Sequence, residues 1–268
     1  MNMGWNYLGI FFLVALAVCL VGFYKYVYFL SIGYGFAVLG IGVAMAIMGA
    51  MGIFTMSLPH YLLCALFVIY GFRLSGFLLF REIKNAAYRK TLKEATGEES
   101  AMPIFVKFTI WVCVAALYVA QTSPVFFRVL NGGAVSAFTW AGIAICIGGI
   151  VLETIADNQK SEQKKKRPNM VATDGLYKMC RCPNYFGEII FWTGIFVSSL
   201  DILTGIGQWL MAVISYICIV YIMFNGAQRL EKRQMARYGK DKEYNDYANK
   251  TPIIIPLLPI YHLNKVEK

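Results

Sequence analysis

The sequence predicts an all-α, polytopic membrane bundle of seven transmembrane helices, and three observations carry that prediction. Of 268 residues, 58% are hydrophobic and only 15% are charged, with a mean hydropathy of +0.56, a balance that belongs to membrane chains. Charge is withheld from long windows and gathered into a few joints, which a soluble core does not do. The joints also alternate between basic and nearly uncharged, which orients the bundle. A large soluble domain is excluded, so residues 1–268 are read as one integral membrane domain.

The spans fall near 5–24, 28–52, 59–80, 103–123, 134–156, 184–205 and 207–227, each long enough or nearly so to cross about 30 Å at about 1.5 Å per residue. The first follows no charged leader and no small-residue cleavage site, so it is read as retained. The second carries Gly33, Gly35, Gly40 and Gly42. A dinucleotide fingerprint would need a strand and a βαβ unit around such glycines, so close helix packing is the expected role. In the third span, Arg73 lies well inside apolar sequence, one turn after Tyr70 and two turns before Arg81. An arginine at that depth is too far from an interface to snorkel and calls for an anionic partner; Glu188 is the first candidate and a cofactor phosphate the second.

The fifth span ends with Glu153 and Asp157, four residues apart and therefore on one helix face, followed by Lys160 and the run Lys164, Lys165, Lys166 and Arg167. Two acids above a basic loop form a bipolar rim suited to a ligand with hydroxyls and phosphates. The sixth span follows Tyr177 and Arg181, starts at Pro183, and carries Asn184 and Glu188 at the same four-residue spacing. Proline fits the first helical turn, where its missing N–H leaves nothing unpaired. An acid that far inside apolar sequence costs roughly 2.5–3.5 kcal/mol on insertion scales, which makes Glu188 a functional candidate. Beyond the seventh span the helix is expected to continue, with Arg229, Arg233 and Arg237 at four-residue intervals and an end at Gly239. Tyr244 and Tyr247 follow at helical spacing, and Pro252 and Pro256 frame a short apolar patch.

The basic joints contain Lys25, the cluster from Arg81 to Lys93, the segment from Lys160 to Arg181, and the tail; the others hold Arg128 or no Lys or Arg at all. That alternation places the N-terminus outside and the C-terminus in the cytoplasm. Despite a net charge of +10, every cluster flanks a span, which points to anionic lipid and a cofactor phosphate rather than nucleic acid. Five of the seven cysteines sit inside apolar spans, where thiols act as small hydrophobes. Cys180 and Cys182 are spaced too tightly for a usual zinc pair, so no metal site is expected.

The pieces ETIADNQK (Glu153 to Lys160), GLYKMCRCPNYFGE (Gly175 to Glu188), YGFRLSGFLLFR in the third span and LEK…YNDY…TPIIIP in the tail resemble the steroid 5α-reductase-like membrane enzymes, in particular their bacterial branch. They cover roughly Tyr70 to Pro256 discontinuously. The resemblance implies a seven-helix bundle with a cytoplasm-facing cavity for NADPH, formed here by about residues 153–256. The implied reaction is reduction of a carbon–carbon double bond conjugated to a ketone in a lipophilic substrate. It further implies that Asp157, Asn184 and Glu188 face the cofactor, with Glu188 near the nicotinamide. Lys164, Arg181, Arg229 and Arg233 would lie near its phosphates, and Tyr70 would approach the substrate carbonyl. Arg73, Arg81, Glu153, Lys160, Tyr177, Tyr244 and Tyr247 complete the candidate set, with Tyr70 and Glu188 as the catalytic pair. A bacterial inner membrane is the expected location.

Two departures stand out. Where the family has Arg-His-Pro-Asn-Tyr, this chain has Arg181-Cys182-Pro183-Asn184-Tyr185, and no acid precedes Glu82 to match the glutamate that steroid reductases carry in an early span. The RxPNY…E pattern and the tail also resemble isoprenylcysteine-type membrane methyltransferases, which use S-adenosylmethionine. The E-x-x-A-D-x-Q stretch and the number of cations favour the reductase.

Overall fold

A computed structural model describes residues 4–84, 89 and 102–264; most of the basic cluster expected between Arg81 and Lys93 lies outside them. Among the described residues every regular element is helical. The main helices are α1 (Trp5–Cys19), α2 (Ile32–Ala50), α3 (Leu58–Gly71), α4 (Phe77–Lys84), α5 (Ile104–Leu130), α6 (Ala137–Lys166), α7 (Pro183–Val197), α8 (Gly205–Tyr238) and α9 (Lys242–Lys250). A π-helical turn, Phe72–Gly76, joins α3 to α4. Six helical stretches are long and apolar enough to cross a membrane: Trp5–Phe23, Ile32–Ala50, Leu58–Lys84, Ile104–Leu130, Ala137–Lys166 and Gly205–Tyr238. Outward positions on them are large and apolar, including Leu13, Ile47, Ile69, Val151, Ile155, Ile214 and Ile217, as lipid contact requires. The chain is therefore a multi-pass membrane protein by the architecture of its helices.

The sixth expected span differs. The segment expected at 184–205 is a helix of only 15 residues, Pro183–Val197, about 22 Å long at the standard rise. It stops at Ser198 and Ser199, whose hydroxyls bond the carbonyls of Ile195 and Pro124 and so compete with the helical ladder. Lys160 and Lys164 also differ from expectation. They are helical rather than in a loop, because α6 continues unbroken to Lys166.

The chain divides into two compact units, Met1–Ile143 with Ile195–Ser215, and Ala144–Gly194 with Tyr216–Lys268. In the first, α2 and α3 approach so closely that a Cβ on Gly42 would lie 2.8 Å from the Phe67 Cβ, and one on Gly35 or Gly71 would strike the other helix. The glycines of the second span are thus packing residues, as their spacing suggests. Lys25 pairs with Glu82, which also accepts from the Tyr28 hydroxyl at 2.6 Å. This ties the first joint to the end of the third span. In α5, Pro124 cannot donate to the Ala120 carbonyl, and the Ser123 hydroxyl does so instead at 2.7 Å. Arg128 at the end of α5 is wholly buried, donating to the carbonyls of Ser198 and Ala134 and to the carboxylate of Asp201.

In the second unit, α6 and α7 meet through glycine. A Cβ on Gly149 would lie 2.6 Å from the Phe191 nitrogen, and one on Gly187 would lie 2.9 Å from the Glu153 Cβ. Past this crossing the polar end of α6 holds the following loop. The Gln163 amide oxygen accepts from the N–H groups of Thr173 and Asp174 at 2.8 and 2.9 Å, and that of Gln159 accepts from Leu176 at 2.8 Å.

Candidate functional site

The second unit contains a cavity of about 240 Å³ walled by Lys160 and Lys164 of α6, Val171, Ala172, Tyr177 and Arg181 of the following segment, Leu230, Arg233, Gln234, Arg237 and Tyr238 of α8, and Tyr247 of α9. Helical periodicity explains why so many cations meet there. Lys160 and Lys164 are four apart on α6, and Arg233 and Arg237 are four apart on α8, so each pair forms one stripe. Gln159 and Gln163 fold the 173–177 loop back onto α6, which brings Tyr177 and then Arg181 to the same wall.

Three polar atoms in this wall are buried without a hydrogen-bond partner among the described residues: the Tyr177 hydroxyl and the Nε and Nη1 of Arg181. Tyr177 is 3% exposed and Arg181 4%. Burial, reinforced by the nearby Asp157 charge, pushes the Tyr177 phenol above its usual range, so at neutral pH it remains a donor. Burial likewise raises Tyr247, whose hydroxyl donates to the Tyr177 carbonyl at 2.7 Å. Lys164 is held by the Pro168 and Met170 carbonyls and by the Tyr238 hydroxyl at 3.0 Å. The wall thus offers five cations and a buried donor phenol, a set suited to an anionic, oxygen-rich ligand.

The third nitrogen of Arg181, Nη2, donates to Glu231 Oε1 at 2.7 Å and to the Tyr261 carbonyl, and the Arg181 N–H donates to the Pro252 carbonyl at 2.8 Å. Tyr244 lies beside the guanidinium. Burial raises its phenol, and the Arg181 charge opposes that rise.

Among the predicted residues, Lys160, Lys164, Tyr177, Arg181, Arg233 and Tyr247 line the cavity. Glu153, Asp157, Asn184, Glu188, Arg229 and Tyr244 do not, although they belong to the same unit. Glu153 is seven residues before Lys160 on α6, about 10 Å at the helical rise. Glu153 and Glu188 are both buried, at 3% and 5% exposure, beside the Gly149–Gly187 crossing, whereas Asp157 acts on Tyr177 through its charge. Arg229 is exposed, and Tyr244 packs with Met170, Val171, Tyr238 and Ala248. Tyr70, Arg73 and Arg81 lie in the first unit. There Tyr70 is wholly buried and packs edge-on against Tyr34 with ring centroids 5.9 Å apart.

Two residues of this region were not among the candidates. Arg237 continues the α8 stripe and was signalled by its spacing alone. Glu231 is 1% exposed; its signals were an acid within a strongly basic stretch and its place in the LEK piece of the tail. Cys182 is buried, and its thiol is pushed up to about 11, so it stays protonated near neutrality.

No curated protein and no solved structure matches the chain. A family model described as "Protein of unknown function (DUF1295)" matches residues 32–251. With that match over most of its length, the chain belongs to this family, which is associated with steroid 5α-reductase-like proteins.

Proposed function

We propose that the chain is a membrane-embedded reductase that uses NADPH to reduce the conjugated carbon–carbon double bond of a lipophilic enone. The observation that carries this reading is the cation-walled cavity with the Tyr177 hydroxyl and two Arg181 nitrogens buried and unmatched among the described residues. Such atoms cost about 1–3 kcal/mol each when unmet, and phosphate oxygens would meet them. The residues fit that group. At about 240 Å³ the cavity falls below the ~300–1,000 Å³ of whole-ligand pockets, so it suits a phosphate-bearing portion of the nucleotide rather than all of it.

NADPH, when bound, supplies the hydride. Lys160, Lys164, Arg181, Arg233 and Arg237 hold its phosphates, and Tyr177 donates a further hydrogen bond. Asp157 accepts from sugar hydroxyls, and Asn184 and Glu188 take the nicotinamide role that the resemblance gives them. Tyr70 donates to the enone oxygen as it gains charge, since a phenol is protonated at neutral pH; this assignment rests on the resemblance alone. The α-carbon takes its proton from water or from that tyrosine.

The same reading includes seven crossings, with the N-terminus outside and the C-terminus in the cytoplasm of a bacterial inner membrane. The Arg128–Asp201 pair supports the count of crossings, because it returns the chain after α7 to the end from which α6 departs. The Lys25–Glu82 pair joins the first and third joints in the same sense.

The test is oxidation of NADPH by detergent-purified protein over a panel of hydrophobic enones, beside a methyl-transfer control with S-adenosylmethionine. Enone-dependent oxidation is expected. Methyl transfer in its absence would assign the chain to the methyltransferase class, and binding of neither nucleotide would remove enzymatic function from the cavity.

A further inference from the structure

We infer that Glu231 and the tail segment Tyr261–Asn264 form a clasp whose task is to hold Arg181 ready for the anion; the inference rests on the phosphate-binding reading of the cavity. Glu231 Oε1 accepts from Arg181 Nη2 at 2.7 Å and contacts His262 Nδ1 at 3.0 Å, while Oε2 accepts from the N–H groups of Leu263 and Asn264 at 2.9 and 3.0 Å and from the Asn264 amide at 2.8 Å. The tail is fastened elsewhere as well. Asn264 donates to the Gln228 carbonyl, Gln228 to the Leu263 carbonyl, and His262 Nε2 contacts Asn249 Oδ1 at 2.9 Å.

The division of labour within one guanidinium is what points to positioning. Nη2 is consumed by Glu231 and the Tyr261 carbonyl, while Nε and Nη1 are buried without partners among the described residues in a residue that lines the cavity. A free arginine loses about 2 kcal/mol of rotamer entropy when fixed; here that ordering precedes ligand binding. The many donors on Glu231 also spread its negative charge away from the cavity. Glu231 touches no ligand in this scheme and is a positioning residue.

Equilibrium binding of NADPH and of inorganic pyrophosphate to the full-length protein tests this. Glu231→Gln should weaken both by about 10-fold, the worth of one hydrogen bond to a charged group, without lowering helix content. Arg181→Lys should also weaken both, and the double variant should bind no worse than the weaker single, because the two residues act as one unit. In contrast, Lys160→Gln should multiply with Glu231→Gln. In the wild type, either probe should slow hydrogen exchange at Leu263 and Asn264, as reciprocal coupling requires. Wild-type affinity in Glu231→Gln, multiplicative losses with Arg181→Lys, or unchanged tail exchange on binding would overturn the clasp while leaving the cavity reading intact. A wild-type chain that binds neither probe would overturn both.

Discussion

Arg181 Nη2 stands 2.7 Å from Glu231 Oε1, and the two side chains are 2% and 1% exposed. Removing one partner of such a pair leaves a buried charge uncompensated, which typically costs about 3–5 kcal/mol. Glu231→Ala should therefore lower unfolding free energy in detergent by that order, and Glu231→Gln by clearly less. The apolar double variant Arg181→Met with Glu231→Leu should recover most of the stability and none of the anion binding. Denaturant titration beside pyrophosphate binding separates those outcomes.

Tyr70→Phe removes a hydroxyl from a wholly buried ring and leaves its packing against Tyr34. If the hydroxyl stabilises the developing oxyanion, turnover should fall about 10²–10³-fold with NADPH affinity unchanged. Retention of full turnover would return Tyr70 to a packing role.

Gly149→Val should disrupt the second unit, because its Cβ would fall 2.6 Å from the Phe191 nitrogen, in backbone that cannot step aside. Overpacking of this kind costs about 1–3 kcal/mol. Thermal unfolding should show the loss, whereas Gly148→Val, with open space around it, should change little.

Cys180 and Cys182 are predicted to resist alkylation in the folded protein. Burial pushes their thiols up to about 12 and about 11, and only the thiolate reacts. Protonation is therefore complete near neutrality, and reactivity should climb only as pH nears those values or when denaturant exposes the thiols. Rapid labelling of both at pH 7 would contradict the buried geometry.

How far the sequence reaches depends on the separation of the interacting residues. Local periodicity makes the spans legible, along with the glycine packing of α2, the extension of α8 to Tyr238, and the cation stripes. Interactions over long separations were not legible: Asp201, the partner of Arg128, lies 73 residues away, and the tail groups that meet Glu231 lie about 30 residues on. The early end of α7 was missed because a hydropathy window averages over Ser198 and Ser199 rather than asking where their hydroxyls bond.

The sealed contact between Arg128 and Asp201 has an electrical consequence. A cation and an anion locked together carry no net charge, so a transmembrane voltage does no work on them as a unit, whereas it would act at about 2.3 kcal/mol per 100 mV on an isolated guanidinium.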